Sequence, residues 1–312
     1  MQTFTTWKGL DERTRGAVAA IGNFDGVHLG HREVIEIARA EATRRGAPLG
    51  ILTFEPHPRE YFAPDAPPFR LMNAEAKANR LAKLGVDQLY QLPFDAQLAG
   101  LSAEAFAREV VDDGLGLSHV VVGVDFCFGK GRKGNVDDLQ RFGAAMDFGV
   151  TAAELLANDA GAVSSTSIRT ALSEGRPRDA QAMLGHWHRI EGEVLHGDAR
   201  GRALGFPTAN MSIIGLHRPR FGVYAVKVDV LSGPHKGTYD GAASIGVRPM
   251  FGENVPNCES YLFDFVGDLY GTHLSVALIE FLRDEARFDN LNALVEQMHA
   301  DCDRARAILA DL

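Results

Sequence analysis

Two histidines lie three residues apart in a glycine-rich segment near the start of the chain, where they could bind phosphate. The segment consists of Gly22, Asn23, Phe24, Asp25, Gly26, Val27, His28, Leu29, Gly30 and His31. Glycines let backbone amides approach a ligand, and a helix that begins there favours anions. Imidazoles at that end can donate hydrogen bonds to phosphate oxygens as negative charge develops. The alternatives are a turn with two surface histidines, or half of a metal site.

Hydroxyl side chains precede another helical pattern at Ser164, Ser165 and Thr166, with Arg169 close behind. Such hydroxyls cap a helix and can also bind phosphate. The forked guanidinium of Arg169 could neutralise a departing polyphosphate. Taken alone, the string predicts a helix cap. Paired with the upstream histidines, it predicts a segment that closes over a triphosphate.

A third candidate lies in the second half of the chain, where residues 197–210 combine glycine, arginine and small polar side chains. Its members include Gly201, Arg202, Gly205, Pro207, Thr208 and Asn210. The glycines would let the chain wrap closely around a phosphate, and the arginine adds positive charge. Thr208 and Asn210 offer oxygen ligands two residues apart, which suit a hard Mg²⁺ ion shared with nucleotide phosphates. A plain hairpin loop is the alternative.

Short apolar runs alternate with helical patterns over the first 160 residues. We predict strands at 17–21, 49–54, 86–92, 119–124 and 151–156, and helices at 33–45, 74–84, 102–111 and 137–148. Strands separated by helices are typical of an α/β domain with a parallel, doubly wound sheet. Ligands of such sheets bind beyond the carboxyl ends of the strands, near the point where the strand order reverses.

The pattern becomes β-rich after about residue 185. We predict strands at 190–195, 223–230, 239–247, 260–265 and 274–281, and a closing helix at 290–309 with apolar residues near 3.6 spacing. Turn residues between these runs indicate an antiparallel sandwich or barrel. The expected domains are therefore 1–184 and 185–312, with the boundary near Gly185.

Composition excludes several classes of function. The 312 residues carry a net charge of −9, so a nucleic-acid coating role, which needs a broad basic surface, is not expected. No apolar run of about 18 residues occurs, so no membrane-spanning helix is predicted. Cys127, Cys258 and Cys302 are odd in number and far apart, which fits neither a disulfide framework nor a zinc site. A cytoplasmic protein with free thiols is the simplest interpretation.

The segment 22–31 resembles the HxGH signature of the nucleotidylyltransferase superfamily. Together with further strings it looks like one branch, the bacterial bifunctional riboflavin kinase/FAD synthetases. Those strings are Thr53-Phe54-Glu55-Pro56-His57-Pro58 and the stretches 81–87, 98–102, 121–129 and 164–169. The second half resembles the riboflavin kinase module, including its PTAN motif at 207–210. The resemblance covers roughly residues 18–306.

This resemblance implies a Rossmann-like FMN adenylyltransferase domain followed by a riboflavin-kinase-like antiparallel β-barrel with a terminal helix. It implies that the second domain phosphorylates riboflavin with ATP to give FMN. The first domain would join FMN to AMP from another ATP, giving FAD and pyrophosphate. Both activities would use Mg²⁺, and the partners would be these small molecules, with no nucleic acid and no membrane. The oligomeric state is not predicted.

The resemblance also assigns residues. Glu259 matches the glutamate that acts as base on the vitamin's hydroxyl, which suits a neutral alcohol that must lose a proton. Arg283 and Phe288 match the flavin-side segment, and Asp125 matches a nucleotide contact. This chain departs from the family at Asp125, Cys127, Ser244 and Met250, where the family usually has other residues.

Two other functions remain open at this stage. The first domain could transfer a nucleotidyl group to another phosphate acceptor, because HxGH alone does not select the acceptor. The chain could also be a flavin-binding regulatory protein without turnover. The paired candidates His28 with His31 and Thr208 with Asn210 argue against mere storage, which needs neither pair.

Overall fold

A computed structural model describes residues 1–154, 163–196, 204–250 and 253–312 of the chain. Contacts between residues divide it into two compact units. The first unit comprises residues 1–67 and 77–163, and the second comprises residues 68–76 and 164–312. The sequence predicts a domain boundary near Gly185, whereas the division by contacts assigns residues 164–184 to the second unit. The limits of the functional domains stay a prediction.

The first unit is built on a parallel sheet with the strand order β1-β4-β3-β2-β5-β6. Its strands are β1 Gln2–Phe4, β2 Val18–Ile21, β3 Leu49–Glu55, β4 Gln88–Pro93, β5 His119–Gly123 and β6 Gly149–Ala153. All four residues of β2 are buried, as expected for a central strand covered on both faces. The neighbours of β2 are β3 on one side and β5 on the other, so the strand order reverses at β2. The carboxyl end of β2 is therefore where such a fold binds ligands.

Helical segments connect these strands. They are α1 Leu29–Arg45, α2 Pro58–Phe62, α3 Ala74–Lys83, α4 Ala96–Gly100, α5 Ala103–Ala105, a π-helix at Phe106–Asp112 and α6 Val136–Met146. Buried aromatic and aliphatic side chains between the sheet and these segments form the core, including Phe4, Trp7, Tyr90 and Phe106. Helix α1 is followed by its C-cap Gly46, which adopts the left-handed conformation with φ of 64° that favours glycine.

The second unit contains an antiparallel sheet with the order β7-β12-β9-β10-β11-β8. Its strands are β7 Arg189–Glu193, β8 Ala209–Ser212, β9 Gly222–Val230, β10 Gly237–Met250, β11 Glu253–Leu262 and β12 His273–Asp284. The outer strands β7 and β8 meet through an antiparallel bridge between Leu195 and Asn210, so the sheet is nearly closed into a barrel. Its interior is filled by aliphatic side chains such as Val226, Val228 and Leu278.

Helices surround this barrel on the outside. They are α7 Ser165–Ser173, α8 Pro177–Leu184 and α9 Leu291–Ala310. Helix α9 packs on β9, β10 and β12, where Ala305 and Leu309 meet the outward-facing Ala225 and Ile279. Helices α7 and α8 pack together over a small core that includes Leu71 and Ile168.

The structure confirms the predicted fold class: a parallel α/β sheet, then an antiparallel barrel with a terminal helix. Several local boundaries differ from the predictions. Helix α1 begins at Leu29 rather than residue 33, because His28 caps it. The predicted helix at 102–111 is a short α-turn followed by the π-helix. The last residues of the strand predicted at 151–156 lie outside the described residues. None of the helices in the described ranges is long and apolar enough to cross a membrane.

Candidate functional sites

The loop after β2 has a strained backbone. Phe24 and Val27 have φ of 51° and 42°, and Gly26 between them has φ of 86°. A left-handed conformation is rare for bulky residues and rarer for β-branched ones, so the surroundings must impose it. Phe24 and Val27 are fully packed in the interior, which supplies that constraint. The loop is thus a rigid turn at the edge of the sheet where ligands are expected.

His28 is the N-cap of α1. The backbone N–H of His31 donates to His28 Nδ1 at 3.3 Å, and the two imidazole rings stack with centroids 3.7 Å apart. Because Nδ1 acts as an acceptor, the ring proton of neutral His28 lies on Nε2, which can donate to a ligand. The cap therefore fixes both the position and the tautomer of this histidine.

His31 lies in a less polar environment. Burial lowers the pKa of His31 well below its usual value, and the neighbouring His28 and Lys77 lower this pKa further. Its Nδ1 atom is buried and has no hydrogen-bond partner among the described residues. The ring of Phe24 lies 5.2 Å from the His31 ring. The structure therefore brings both histidines and Phe24 into one cluster, with His31 neutral at physiological pH.

Other predicted residues of the first unit lie in different environments. Asn23 is exposed and Asp25 is buried in the same loop, whereas Gly22 and Gly30 flank it at the end of β2 and the start of α1. Asp125 is exposed in the turn after β5, whose carboxyl end lies at the same edge of the parallel sheet as that of β2.

An aromatic cluster follows β3 in the same unit. Tyr61 and Phe62 on α2 contact Phe94 just after β4, with ring centroids 5.4 and 5.7 Å apart. The side chain of Phe62 is 67% exposed, although large aromatic side chains are usually buried. This cluster offers a flat apolar surface near the carboxyl ends of β3 and β4.

The predicted phosphate segment at 164–169 belongs to the second unit. Ser164 is the N-cap of α7, and its Oγ accepts a hydrogen bond from the backbone N–H of Ser167 at 3.1 Å. Ser165 and Thr166 form the first turn. Arg169 Nε donates to the carbonyl of Phe69 at 2.6 Å, and its guanidinium lies 5.3 Å from the Phe69 ring centroid. The cap prediction is confirmed, and Phe69 contacts the guanidinium through both its carbonyl and its ring.

Two cavities lie beside the barrel, and Thr208 lines both. The first, of about 270 Å³, contains apolar, aromatic and charged groups. Its lining includes Phe206, Ala242, Ser244, Glu259, Tyr261, Arg283, Phe288, Met298, Asp301 and Cys302. The second, of about 590 Å³, is bounded by Pro207 and by the turn after β11, including Phe265, Val266, Asp268 and Tyr270. Thr208 therefore stands at the wall between two spaces.

Asn210 and Glu259 are direct partners in the pairing of β8 with β11. Directly paired residues project from the same face of a sheet, with Cβ atoms about 5 Å apart. Asn210 is buried, and its Oδ1 atom has no hydrogen-bond partner among the described residues. Glu259 lines the first cavity, and Asn257 Nδ2 donates to its Oε1 at 3.1 Å. The structure thus brings Thr208, Asn210 and Glu259 together, as a shared site requires.

The far wall of the first cavity is held by an ion pair. Arg283 donates to the Asp301 carboxylate through Nε at 3.0 Å and Nη2 at 2.7 Å. Gln297 Nε2, one turn earlier on α9, donates to the same carboxylate at 2.9 Å. The guanidinium of Arg283 lies 5.7 Å from the centroid of the Phe288 ring. Both flavin-side candidates therefore line the cavity.

Some predicted residues cannot be placed. Gly201 and Arg202 lie outside the described residues. Gly205 is exposed with φ of 84°, a left-handed conformation that suits glycine, and Pro207 lines the second cavity. Of the positions where the family usually has other residues, Ser244 lines the first cavity and Met250 ends β10.

Sequence reasoning missed three features of these sites. Asp301 gave no signal beyond its place in a helical pattern, and its partner Arg283 was assigned to the flavin alone. Lys77 looked like an ordinary helical lysine, but its side chain is buried. Sequence reasoning offered Tyr61 and Phe62 as flavin contacts, but their contact with Phe94 could have been found only from the sheet order that joins β3 to β4.

Comparison with known proteins covers both units. A family model described as FAD synthetase matches residues 10–167, and one described as riboflavin kinase matches residues 184–309. The bifunctional riboflavin kinase/FMN adenylyltransferase of Pseudomonas fluorescens is 42% identical over 99% of this chain and 98% of its own length. The enzyme of the same description from Escherichia coli K12 is 38% identical over 92% of this chain and 90% of its own.

A solved structure resembles the chain over nearly all of its length. A Streptococcus pneumoniae protein described as a macrolide-efflux protein has a TM-score of 0.83 and 31% sequence identity. The match covers 97% of this chain and 98% of the other. The likeness therefore extends over both units.

Proposed function

Because the chain belongs to the bifunctional riboflavin kinase/FMN adenylyltransferases, we propose which of its residues carry each of the two activities. The chain is an enzyme that phosphorylates riboflavin with ATP and converts FMN to FAD with a second ATP. The FAD synthetase match covers the parallel α/β unit, and the riboflavin kinase match covers the barrel. The paired geometry of Thr208, Asn210 and Glu259 beside two cavities is the observation that carries the assignment.

FAD formation is assigned to the loop that carries His28 and His31. A phosphate oxygen of FMN attacks the α-phosphorus of ATP, the bond to the bridging oxygen breaks, and pyrophosphate leaves. FMN phosphate is already anionic, so the step needs positioning and charge stabilisation more than a base. His28 supports this role because its cap hydrogen bond at Nδ1 places the proton of the neutral imidazole on Nε2, the atom that would donate to a phosphate oxygen. His31 contributes a second, neutral imidazole in the same stack.

Further contacts in this half remain proposals from sequence. Backbone amides of the loop from Gly22 through Asp25, with Gly30, would surround the nucleotide phosphates. From the sequence alone, Asp125 is proposed as a nucleotide contact, and the segment from Ser164 to Arg169 is proposed to bind phosphate. For the flavin ring we propose the exposed face of Phe62, because an isoalloxazine needs a flat apolar surface.

FMN formation is assigned to the barrel, with a different substrate in each cavity. The smaller cavity suits the isoalloxazine, since Phe288, Tyr261 and Met298 provide apolar surface beside charged groups. The larger cavity, bordered by Pro207, suits the nucleotide. Gly201, Arg202 and Gly205 precede Pro207 in the sequence, and they would enclose the phosphates of the nucleotide. Thr208 borders both spaces, so the phosphoryl group would be transferred there.

Glu259 supplies the proton acceptor for this step. A hydroxyl of the ribityl chain attacks the γ-phosphorus, its proton passes to the Glu259 carboxylate, and the bond to the β-phosphate oxygen breaks to release ADP. The hydrogen bond from Asn257 holds Oε1 of this carboxylate. Placement of Glu259 on the lining of the smaller cavity supports a contact with riboflavin rather than with the nucleotide.

The residues at Thr208 and Asn210 fit a magnesium ion. Hydroxyl and amide oxygens are hard ligands, and the buried Oδ1 of Asn210 has no hydrogen-bond partner among the described residues. When bound there with nucleotide phosphates, the ion would neutralise their charge.

We also propose a cytoplasmic location, which the free thiols of Cys127, Cys258 and Cys302 support.

The test measures both activities in each of two variants of the full chain. His28→Asn removes the imidazole but keeps a side-chain oxygen that can cap α1. It should abolish FAD formation from FMN and ATP while sparing FMN formation. Glu259→Gln keeps the size of the side chain and removes the base. It should lower FMN formation by about 10²–10⁴-fold and spare FAD formation from supplied FMN.

Chromatographic separation of riboflavin, FMN and FAD over time gives both rates from one reaction. Loss of FMN formation in folded His28→Asn, or of FAD formation in folded Glu259→Gln, would reverse the assignment of the two halves. FAD formation at the parent rate in His28→Asn would exclude this histidine from the reaction.

A further inference from the structure

Lys77 is a buried cation that the two proposed reactions do not use. It lies on α3, and only 3% of its side chain is exposed. Placing an ammonium group in the interior costs free energy unless hydrogen bonds and an opposite charge compensate. The groups that compensate it therefore define what Lys77 does.

Those groups come from two other elements of the first unit. Lys77 Nζ lies 2.7 Å from Glu55 Oε1, at the end of β3. It donates to Thr53 Oγ1 at 3.2 Å, and Thr53 Oγ1 in turn donates to the carbonyl of Asn23 at 3.2 Å. A longer contact of 3.5 Å joins Nζ directly to the same carbonyl. Lys77 thus ties α3 and the end of β3 to the first residue of the loop that leads to His28.

This loop needs such a restraint because its backbone is strained. Phe24 and Val27 both adopt positive φ angles, which cost free energy and persist only where the surroundings fix them. The Asn23 carbonyl belongs to the residue directly before Phe24, where the strained part of the loop begins. A fixed carbonyl at that point limits the paths that the chain can take to His28. Loss of the restraint would let the loop relax and move the imidazoles.

We propose that Lys77 is a positioning residue for FAD formation, whose buried ammonium group holds the strained loop and so sets the place of His28 and His31. The inference rests on the proposed role of the two histidines. The ammonium group contacts acceptors of the protein that include the Glu55 carboxylate, the Thr53 hydroxyl and the Asn23 carbonyl. These contacts favour positioning over a direct contact with the substrate.

The test uses the full chain and compares Lys77→Met with Lys83→Met. Lys83 lies on the same helix but is exposed, so its substitution controls for loss of a lysine from α3. Misplacement of reacting groups by about 1 Å can cost about 100-fold in rate. We expect Lys77→Met to lower kcat for FAD formation by about 10–100-fold, with each KM within about threefold of the parent value. Lys83→Met should match the parent.

A second pair of variants separates positioning from charge balance. Lys77→Met removes the ammonium group beside the half-buried Glu55 carboxylate, and this loss alone could destabilise the unit. In Lys77→Met/Glu55→Gln that charge is removed, so the thermal midpoint should recover while kcat stays low. Thr53→Val, which keeps the shape and removes the bridging hydroxyl, should lower kcat by a smaller factor.

The outcomes distinguish this inference from the proposed function. Parent kcat in Lys77→Met, or recovery of kcat together with the thermal midpoint in the double variant, would refute positioning by Lys77. If Lys77→Met does not fold, the double variant decides by the same comparison. FMN formation by the barrel reports whether the rest of each variant chain is intact. FAD formation that survives His28→Asn would instead refute the proposed function itself.

Discussion

Replacement of Asp301 by Asn should weaken riboflavin binding through Arg283. The Asp301 carboxylate on α9 accepts hydrogen bonds from Nε and Nη2 of Arg283 and from Nε2 of Gln297, at 2.7–3.0 Å. Asparagine has nearly the same shape but no charge, and its amide group would face the guanidinium. The substitution therefore removes the anchor of Arg283 without leaving a cavity.

The geometry sets the size of the effect. Removal of one partner from a buried, hydrogen-bonded ion pair costs about 3–5 kcal/mol. Arg283 retains 24% side-chain exposure, so water can solvate part of its charge once Asp301 is replaced. We therefore expect the free energy of unfolding to fall by about 3 kcal/mol at most. The contact of Arg283 with Phe288 is a cation–π pair, worth about 1–2 kcal/mol when shielded from water. Loss of this cation–π contact should raise KM for riboflavin by about 10-fold.

The assay is riboflavin phosphorylation at saturating ATP over a range of riboflavin concentrations. We expect KM for riboflavin to rise while kcat changes by less than about threefold, the signature of lost uniform binding. Asp303→Asn is the matched control, because Asp303 lies on the same helix and is exposed. FAD formation from supplied FMN should be unchanged in both variants. Unchanged KM for riboflavin in Asp301→Asn would refute the idea that Asp301 on α9 supports riboflavin binding by holding Arg283 in the cavity lining.

The remaining predictions concern the metal, pH and thiols. Asn210→Ala should raise the Mg²⁺ concentration for half-maximal FMN formation by at least about 10-fold, since it removes the oxygen proposed as a ligand. Burial, and then the nearby His217 and His186, lower the pKa of His188 to about 3. The unfolded chain then binds more protons below pH 6.5, so stability is complete above that pH and falls by about 1.4 kcal/mol per unit between pH 6.5 and 3. Urea unfolding at pH 7 and pH 5 should show a smaller difference in His188→Gln than in the parent. A thiol reagent should label exposed Cys127 quickly and spare Cys258, because burial raises the pKa of the Cys258 thiol to about 12.

Each of these predictions has a contrary outcome. An unchanged Mg²⁺ dependence in Asn210→Ala would remove this residue from the metal site. Equal loss of stability on acidification in His188→Gln and the parent would assign the acid effect to other groups. Rapid labelling of Cys258 in the native protein, with Cys127→Ser as the control, would contradict the burial of that thiol.

The sequence predicted the fold well where periodicity was long and regular. The alternation of β2 through β6 with helices specified a parallel sheet, and the β-rich second half specified an antiparallel one. Strand β1 was missed because three residues, Gln2–Phe4, carry too little periodicity to be recognised. The start of α1 was missed because His28 acts as N-cap, a place usually held by Ser, Thr, Asp or Asn.

The sequence spacing predicted only part of the proposed kinase site. Thr208 and Asn210 lie two residues apart, so the sequence alone predicts that they are close in space. The pairing of Asn210 with Glu259 joins residues far apart in sequence, and it depends on the register between β8 and β11. A shift of one residue in that register would place Glu259 on the opposite face. Sequence pattern alone does not determine such a register.

Buried charge was the least predictable property. Lys77 and Asp301 lie on helices whose exposed lysines and aspartates have the same appearance in sequence. Each is buried because a partner on another element, Glu55 or Arg283, compensates its charge. Such compensation depends on tertiary packing, which no local pattern encodes.

The position of Thr208 on the border of both cavities constrains the order of events during FMN formation. In the proposed assignment, donor and acceptor occupy separate cavities that share Thr208, so neither must depart before the other arrives. The barrel therefore has no need to store a phosphoryl group on one of its own side chains. Its kinetics should be those of a ternary complex, with double-reciprocal plots that intersect instead of running parallel.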